Sequence, residues 1–180
     1  MHMNSLWLLL IYTVPAEPTR KRAYVWREVK KVGAVYLRDG VCILPERPDT
    51  TVSLSAIAAK IQEFEGEATI VRAAILDAAR AEAVFAQFNS ARAAEYLEIS
   101  REAERLLQHV ARETEHRDFG FAELEELEED LTKLKRWTSQ VQSRDYFPNS
   151  SSGQAEELLA RCDEALADFL EQAAARDSTT

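Results

Sequence analysis

The chain has 180 residues, 46% of them apolar and 29% charged, proportions that argue against wholesale disorder and allow one large domain or two small ones around a real core. Its net charge of −9 is uneven: residues 1–75 carry 10 Lys and Arg against 8 Asp and Glu, residues 76–180 carry 12 against 23, so a polyanionic partner has to meet the first segment. Cys42 and Cys162 stand far apart, which excludes a disulfide framework and a Cys-x-x-Cys metal knuckle and points to a reducing, cytoplasmic setting.

The apolar run Leu6 to Val14 is about half the length of a membrane-spanning helix. No basic segment precedes it, and Pro15-Ala16-Glu17-Pro18 is a poor cleavage site, so it reads as a strand and not as a targeting or membrane segment. Being apolar on both faces, it suits the centre of a covered sheet. After the Pro15 and Pro18 turn, a helix is expected from Thr19 to Val32, closed by Gly33. Arg22, Val25, Trp26, Val29 and Val32 fall on one side of it, an apolar stripe apart from Arg22. Ala34–Leu37 and Val41–Leu44 are β-prone runs around Asp39-Gly40, a hairpin signal. A loop follows to Thr51, then a helix capped by Ser53 and running through Glu65 to Gly66, then a strand from Glu67 to Ile75. The order β-α-β-β-α-β is the ferredoxin-like arrangement.

From Asp77 the composition changes, with Gly120, Gly153 and Pro148 as the sparse punctuation. Helices are expected at 77–115, with a possible break at Asn89-Ser90, then at 121–143 and 153–176, with Asn149–Gly153 as a polar link and Asp177–Thr180 as a frayed tail. Leu124, Leu127, Leu131, Leu134, Thr138 and Val141 follow a three-then-four spacing. Such a seam serves either a coiled coil or a bundle, and it is the expected surface for an oligomer or a partner helix. The fold class is therefore α+β, a ferredoxin-like βαββαβ domain over residues 1–76 followed by an acidic helical bundle or coiled-coil extension over 77–180.

Arg20, Arg27 and Lys31 align along the first helix opposite Val25 and Val29, with Tyr24 beside them. Aligned cations with an aromatic neighbour are able to contact phosphates, although charged helix faces are commonly just solvated. Arg20, Lys21 and Arg22 lie in the first turn, where free N–H groups and guanidinium groups together favour an anion, while Arg22, on the buried side, has a second reading as the partner of an acidic side chain. His109, Glu113 and His116 fall at i, i+4 and i+7, a face able to hold zinc yet equally an ordinary surface collection, and the expectation is no metal. The two cysteines read as packing residues and not as sensing thiols. Five glycines scattered singly build no phosphate-cradling loop, and no nucleophilic triad can be assembled, so no catalytic residue and no cofactor is expected.

Three stretches carry a resemblance. They are Trp7–Tyr12 with Pro15 and the helix segment Val25-Trp26-Arg27-Glu28-Val29-Lys30; the run Gly33 to Pro45, similar to a "GA…L.DGVY.LP" hairpin with Cys42 in place of the usual tyrosine; and Arg144-Asp145-Tyr146-Phe147-Pro148 after Lys135-Arg136-Trp137, similar to an "RDYF" segment. Together they extend over nearly the whole chain, which resembles the N-terminal domain of the chromate-resistance regulators of the ChrB family, whose longer members carry a further C-terminal domain. The front half is also similar to the middle domain of PaaX-type repressors and, more remotely, to the small CRISPR-adaptation nuclease subunit. That subunit has an acidic metal ligand near the end of its first strand, where this chain reads Tyr12-Thr13-Val14, so the phosphodiesterase reading loses its ligand.

The resemblance implies a non-enzymatic regulatory protein; the residue pattern itself offers Arg20, Lys21, Arg22, Tyr24, Arg27 and Lys31 of the first helix to DNA or an anion, and Leu124, Leu127, Leu131, Leu134 and Val141 to self-association, as a homodimer. Chromate, a tetrahedral dianion, suits the first-turn cations as an oxyanion ligand, as do sulfate and phosphate. Two alternatives stand beside this: an interaction module built on the leucine seam without nucleic-acid binding, and an accessory factor in chromate detoxification.

Overall fold

The computed structural model describes residues 6–117, 119–147 and 150–177. The chain divides into two compact units, Met1–Asn89 and Ser90–Thr180. Pro148, Asn149 and the tail residues Ser178–Thr180, which figure in the sequence reading, lie outside the described residues.

In the first unit the elements run β1 (Trp7–Thr13), α1 (Thr19–Lys31), β2 (Val35–Arg38), β3 (Val41–Pro45), α2 (Pro48–Glu63) and β4 (Glu67–Ala73). The sheet order is β2-β3-β1-β4, and each neighbouring pair is antiparallel, which is the ferredoxin-like topology. β1 sits in the middle, as its two-faced apolarity requires, with Leu10 opposite Cys42 on one side and Ile70 on the other. Strand alternation puts Leu8 and Leu10 on one face, while α1 and α2 contribute buried Val25, Val29, Leu54, Ile57 and Ile61. On the other face Trp7 is buried against Phe85 and Phe88, its ring centre 5.3 and 5.8 Å from theirs.

Turn chemistry fixes the joints. Gly40 takes φ +70° in the β2–β3 hairpin, and a Cβ there would lie 2.5 Å from the Tyr12 carbonyl oxygen, which excludes any larger residue. α1 closes as expected, the Gly33 and Ala34 N–H groups donating to Lys30 and Val29 carbonyls. α2 differs at both ends. It starts at Pro48, well before Ser53, because Pro is preorganised for the first helical position and the Arg47 N–H donates to Thr50 Oγ1 at 2.9 Å. At its end Glu65, not the glycine, takes the positive φ of 65°; Gly66 instead provides close approach, since a Cβ on it would stand 2.3 Å from the Thr13 carbonyl oxygen.

α3 runs unbroken through Ala78–His116, so Asn89-Ser90 does not interrupt it. The division between the units falls at that point nonetheless, because Val84, Phe85 and Phe88 are buried with the first unit. The second unit comprises the rest of α3, α4 (Phe121–Gln142) and α5 (Ser151–Asp177). Its core joins Ala103, Leu106 and Val110 of α3 to Leu127, Leu131 and Leu134 of α4 and to Leu158, Leu159, Cys162, Leu166 and Phe169 of α5. A second cluster gathers Tyr96, Ile99, Val141 and Ala155. No helix among the described residues is long and apolar enough to cross a membrane.

Candidate nucleic-acid interface

α1 carries six basic side chains and one acid, Glu28. Only Val25 and Val29 are fully buried, with Lys21, Ala23, Tyr24 and Glu28 half-buried beside them, so the helix rests on an apolar strip and leaves about half of its residues in water. Arg20, Arg27 and Lys31 are all exposed, and among the described residues no acid pairs with Arg20 or Arg27. Lys31 meets Glu28 at 4.0 Å in an exposed pair that water screens.

Three sequence expectations for this helix are corrected. Trp26 and Arg22 do not join the buried stripe: Trp26 is 54% exposed and Arg22 is exposed, with no acidic partner among the described residues. The reason is angular. Arg22, Trp26 and Lys30 recur at i, i+4 and i+8, one ridge of the helix, and two charged members hold that ridge in solvent. Tyr24 turns the other way, half-buried with its ring edge-on to Phe64 at 5.5 Å, so it packs α1 against the end of α2 and offers no free ring to a base. Lys21 is likewise engaged: its Nζ donates to the Phe64 carbonyl at 3.2 Å and pairs with Glu65 at 3.4 Å.

What remains in solvent is Arg20, Arg22, Arg27, Lys30 and Lys31 along the exposed side of the helix, with one exposed indole, Trp26, whose ring centre is 6.0 Å from the Lys30 Nζ. The sequence reading groups Trp26 with Val25, Val29 and Val32 on one apolar stripe and so leaves Trp26 and Lys30 out of the cationic face; the i, i+4, i+8 spacing of Arg22, Trp26 and Lys30 is the signal that finds them. The first turn contains no acidic residue, and the N-cap Pro18 makes no side-chain cap. Arg20 and Arg22 therefore stand where the helix dipole is already positive, a self-repelling arrangement that an anion relieves.

The other candidates are placed elsewhere. In α4, Leu127, Leu131, Leu134, Thr138 and Val141 are buried and Leu124 is half-buried, packed into the second unit's own core against α3 and α5. The seam read as an oligomer or partner surface is thus occupied from within the chain, since periodicity marks a buried face without saying what buries it. Cys42 and Cys162 are both buried, and burial pushes their thiols up to about 12 and about 11, far from thiolate character at neutral pH. His109 lies 3.6 Å from Glu113 and 3.8 Å from Glu123, while His116 is exposed and outside this group. The Arg144-Asp145-Tyr146 segment is a structural tie. Arg144 donates to Glu95 at 2.6 Å, Asp145 accepts from the Tyr96 hydroxyl at 3.1 Å, and Tyr146 is buried. At the end of β1 the Tyr12 and Tyr36 hydroxyls share a 2.8 Å hydrogen bond, and burial raises both phenols.

Comparison with known proteins places these features in a family context. The sequence family described as Protein ChrB, N-terminal, matches residues 22–179. Protein ChrB of Cupriavidus metallidurans is 27% identical over 153 residues, which cover 85% of this chain and 44% of that protein. The chain thus spans less than half the length of this curated relative.

Proposed function

The chain belongs to the ChrB N-terminal family, and from that premise we propose that it is a non-enzymatic regulator associated with chromate resistance, binding duplex DNA through the exposed cationic face of α1. The single observation that carries this reading is the exposed cationic side of the helix: Arg20, Arg22, Arg27, Lys30 and Lys31 all stand in solvent, Trp26 is exposed beside Lys30, and one weak acidic contact, Lys31 to Glu28, falls among them.

Size favours a polymer over a single oxyanion. The thirteen residues of α1 extend about 20 Å at the rise of an α-helix, and the cations are spread along that length. A tetrahedral dianion would engage only the first turn, where Lys21 is already held by Phe64 and Glu65. A duplex presents one phosphate charge per roughly 1.7 Å of axis, so several phosphates fall within reach, and each one neutralised releases counterion. Guanidinium groups supply geometry as well as charge, because their planar forks match phosphate oxygens. Phosphate contacts fix position and carry no sequence information. The regulatory role is part of the proposal, and the family membership supports its association with chromate resistance.

The test is a gel shift at low salt with duplex DNA from the region upstream of the protein's own gene, comparing the native chain with the triple variant R20E/R27E/K31E. The native chain shifts the duplex and the variant does not, while both give the same circular dichroism spectrum. A native chain that leaves the duplex unshifted sinks the reading.

A further inference from the structure

In the second unit, His109 and Glu113 stand one turn apart on α3, and Glu123 reaches them from the first turn of α4. One ligand atom from each lies within 4.8 Å of the others. We propose that these three side chains bind one divalent transition ion, zinc being the best match, which ties the end of α3 to the start of α4.

Three observations point the same way. First, the donors converge without bonding to one another. The His109 Nε2 distances to Glu113 and Glu123, 3.6 and 3.8 Å, exceed a hydrogen bond. They approach the separation of about 3.3–3.5 Å between neighbouring ligands of a tetrahedral zinc with bonds of about 2.0–2.1 Å. Second, two carboxylates are held close together, and Glu113 is 8% exposed. Arg112 Nε, 2.9 Å from Glu113, offsets one of these charges, and a divalent ion would offset the rest. Third, a cleft of about 430 Å³ lined by α3 and α4 residues, among them Arg105, His109, Asp130 and Lys133, reaches the imidazole though neither carboxylate, and leaves room for water on the histidine side of the group. An imidazole beside carboxylates selects zinc and its neighbours in the first transition row over calcium or magnesium, which take oxygen ligands alone.

The sequence alone put His109 and Glu113 on one helical face but offered His116 as the third ligand. The fold replaces it with Glu123, which α4 brings back to α3. The competing explanation is an imidazolium held between two carboxylates, and it requires no metal.

The experiment uses the full chain, stripped with chelator and titrated with zinc, followed by thermal unfolding and by metal analysis after dialysis. One zinc per chain is expected to remain, with the unfolding midpoint rising by several degrees at saturation. H109A and E123Q are each expected to lose both the retained zinc and the rise, whereas H116A keeps both. E123Q is the milder change, at a half-buried position, and its circular dichroism spectrum reports that the helices still form. No retained zinc and no rise, or a response that H109A and E123Q leave intact, overturns the proposal; the first of these outcomes is what the imidazolium explanation gives.

Discussion

Trp26 stands one helical turn before Lys30, whose ammonium nitrogen lies 6.0 Å from the centre of the indole ring. An exposed tryptophan under a cation, on a helix with a single acid, concentrates an apolar surface and a positive potential at one place. The proposed binding face follows from that pairing more than from any one arginine.

Among the chain's three tryptophans, Trp7 is buried and Trp137 half-buried, so Trp26 is the most open to an aqueous quencher. Iodide should quench a substantial part of the native fluorescence, and duplex DNA should protect that part. Trp26→Phe should abolish the protectable component. Trp26→Ala should weaken DNA binding by about 2–5-fold, the scale of an exposed cation–π contact, with stability changed by less than about 0.5 kcal/mol. Quenching that DNA leaves unaltered would place the duplex elsewhere.

The α4 seam belongs to the core of the second unit, and its truncation should read as lost stability. Leu127 is fully buried between α3 and α5, so Leu127→Ala is expected to cost about 2–5 kcal/mol in urea unfolding. The mass by light scattering should stay that of the native protein. A change of mass with stability intact would mean that the seam serves a partner after all.

The buried thiols give a pH dependence with a definite sign. Burial raises Cys42 from the ordinary thiol value of 9.0 to about 12, and Cys162 to about 11. Above pH 9 the unfolded chain has lost these protons while the folded chain keeps them, so stability falls as pH rises toward about 12 and is undiminished below 9. Each such thiol contributes a slope of up to about 1.4 kcal/mol per pH unit. Cys42→Ala should flatten the alkaline decline, measured as urea midpoints from pH 8 upward. At neutral pH a thiol reagent should label the native protein slowly and the unfolded protein at once; fast native labelling would contradict the burial.

Much of the architecture was legible because its signals are local. Asp39-Gly40 announced the hairpin, Gly33 the end of α1, and the two-faced apolarity of Trp7–Thr13 its central position in the sheet. Two of the differences have local signals, the Arg22-Trp26-Lys30 ridge and Pro48 at the start of α2, and two depend on neighbours in space. Trp26 shares the stripe of Val25 and Val29 on the sequence pattern, whereas the ridge it forms with Arg22 and Lys30 turns it outward. Ser53 is a plausible cap on composition alone, while Pro48 and Thr50 begin α2. The leucine spacing identified a buried face but could not tell an internal neighbour from an external one. Glu123 could not be joined to His109 until α4 was seen to return along α3.

The central claim is that α1 binds duplex DNA by neutralising phosphates, and the salt dependence of affinity tests it most directly. Fluorescence anisotropy between roughly 50 and 200 mM salt should give a linear fall of log K with log salt, at about 0.9 per phosphate contacted. Arg27→Ala should lower that slope by about one contact and weaken binding to all duplexes alike. A slope that Arg27→Ala leaves untouched, or affinity indifferent to salt, would contradict the account.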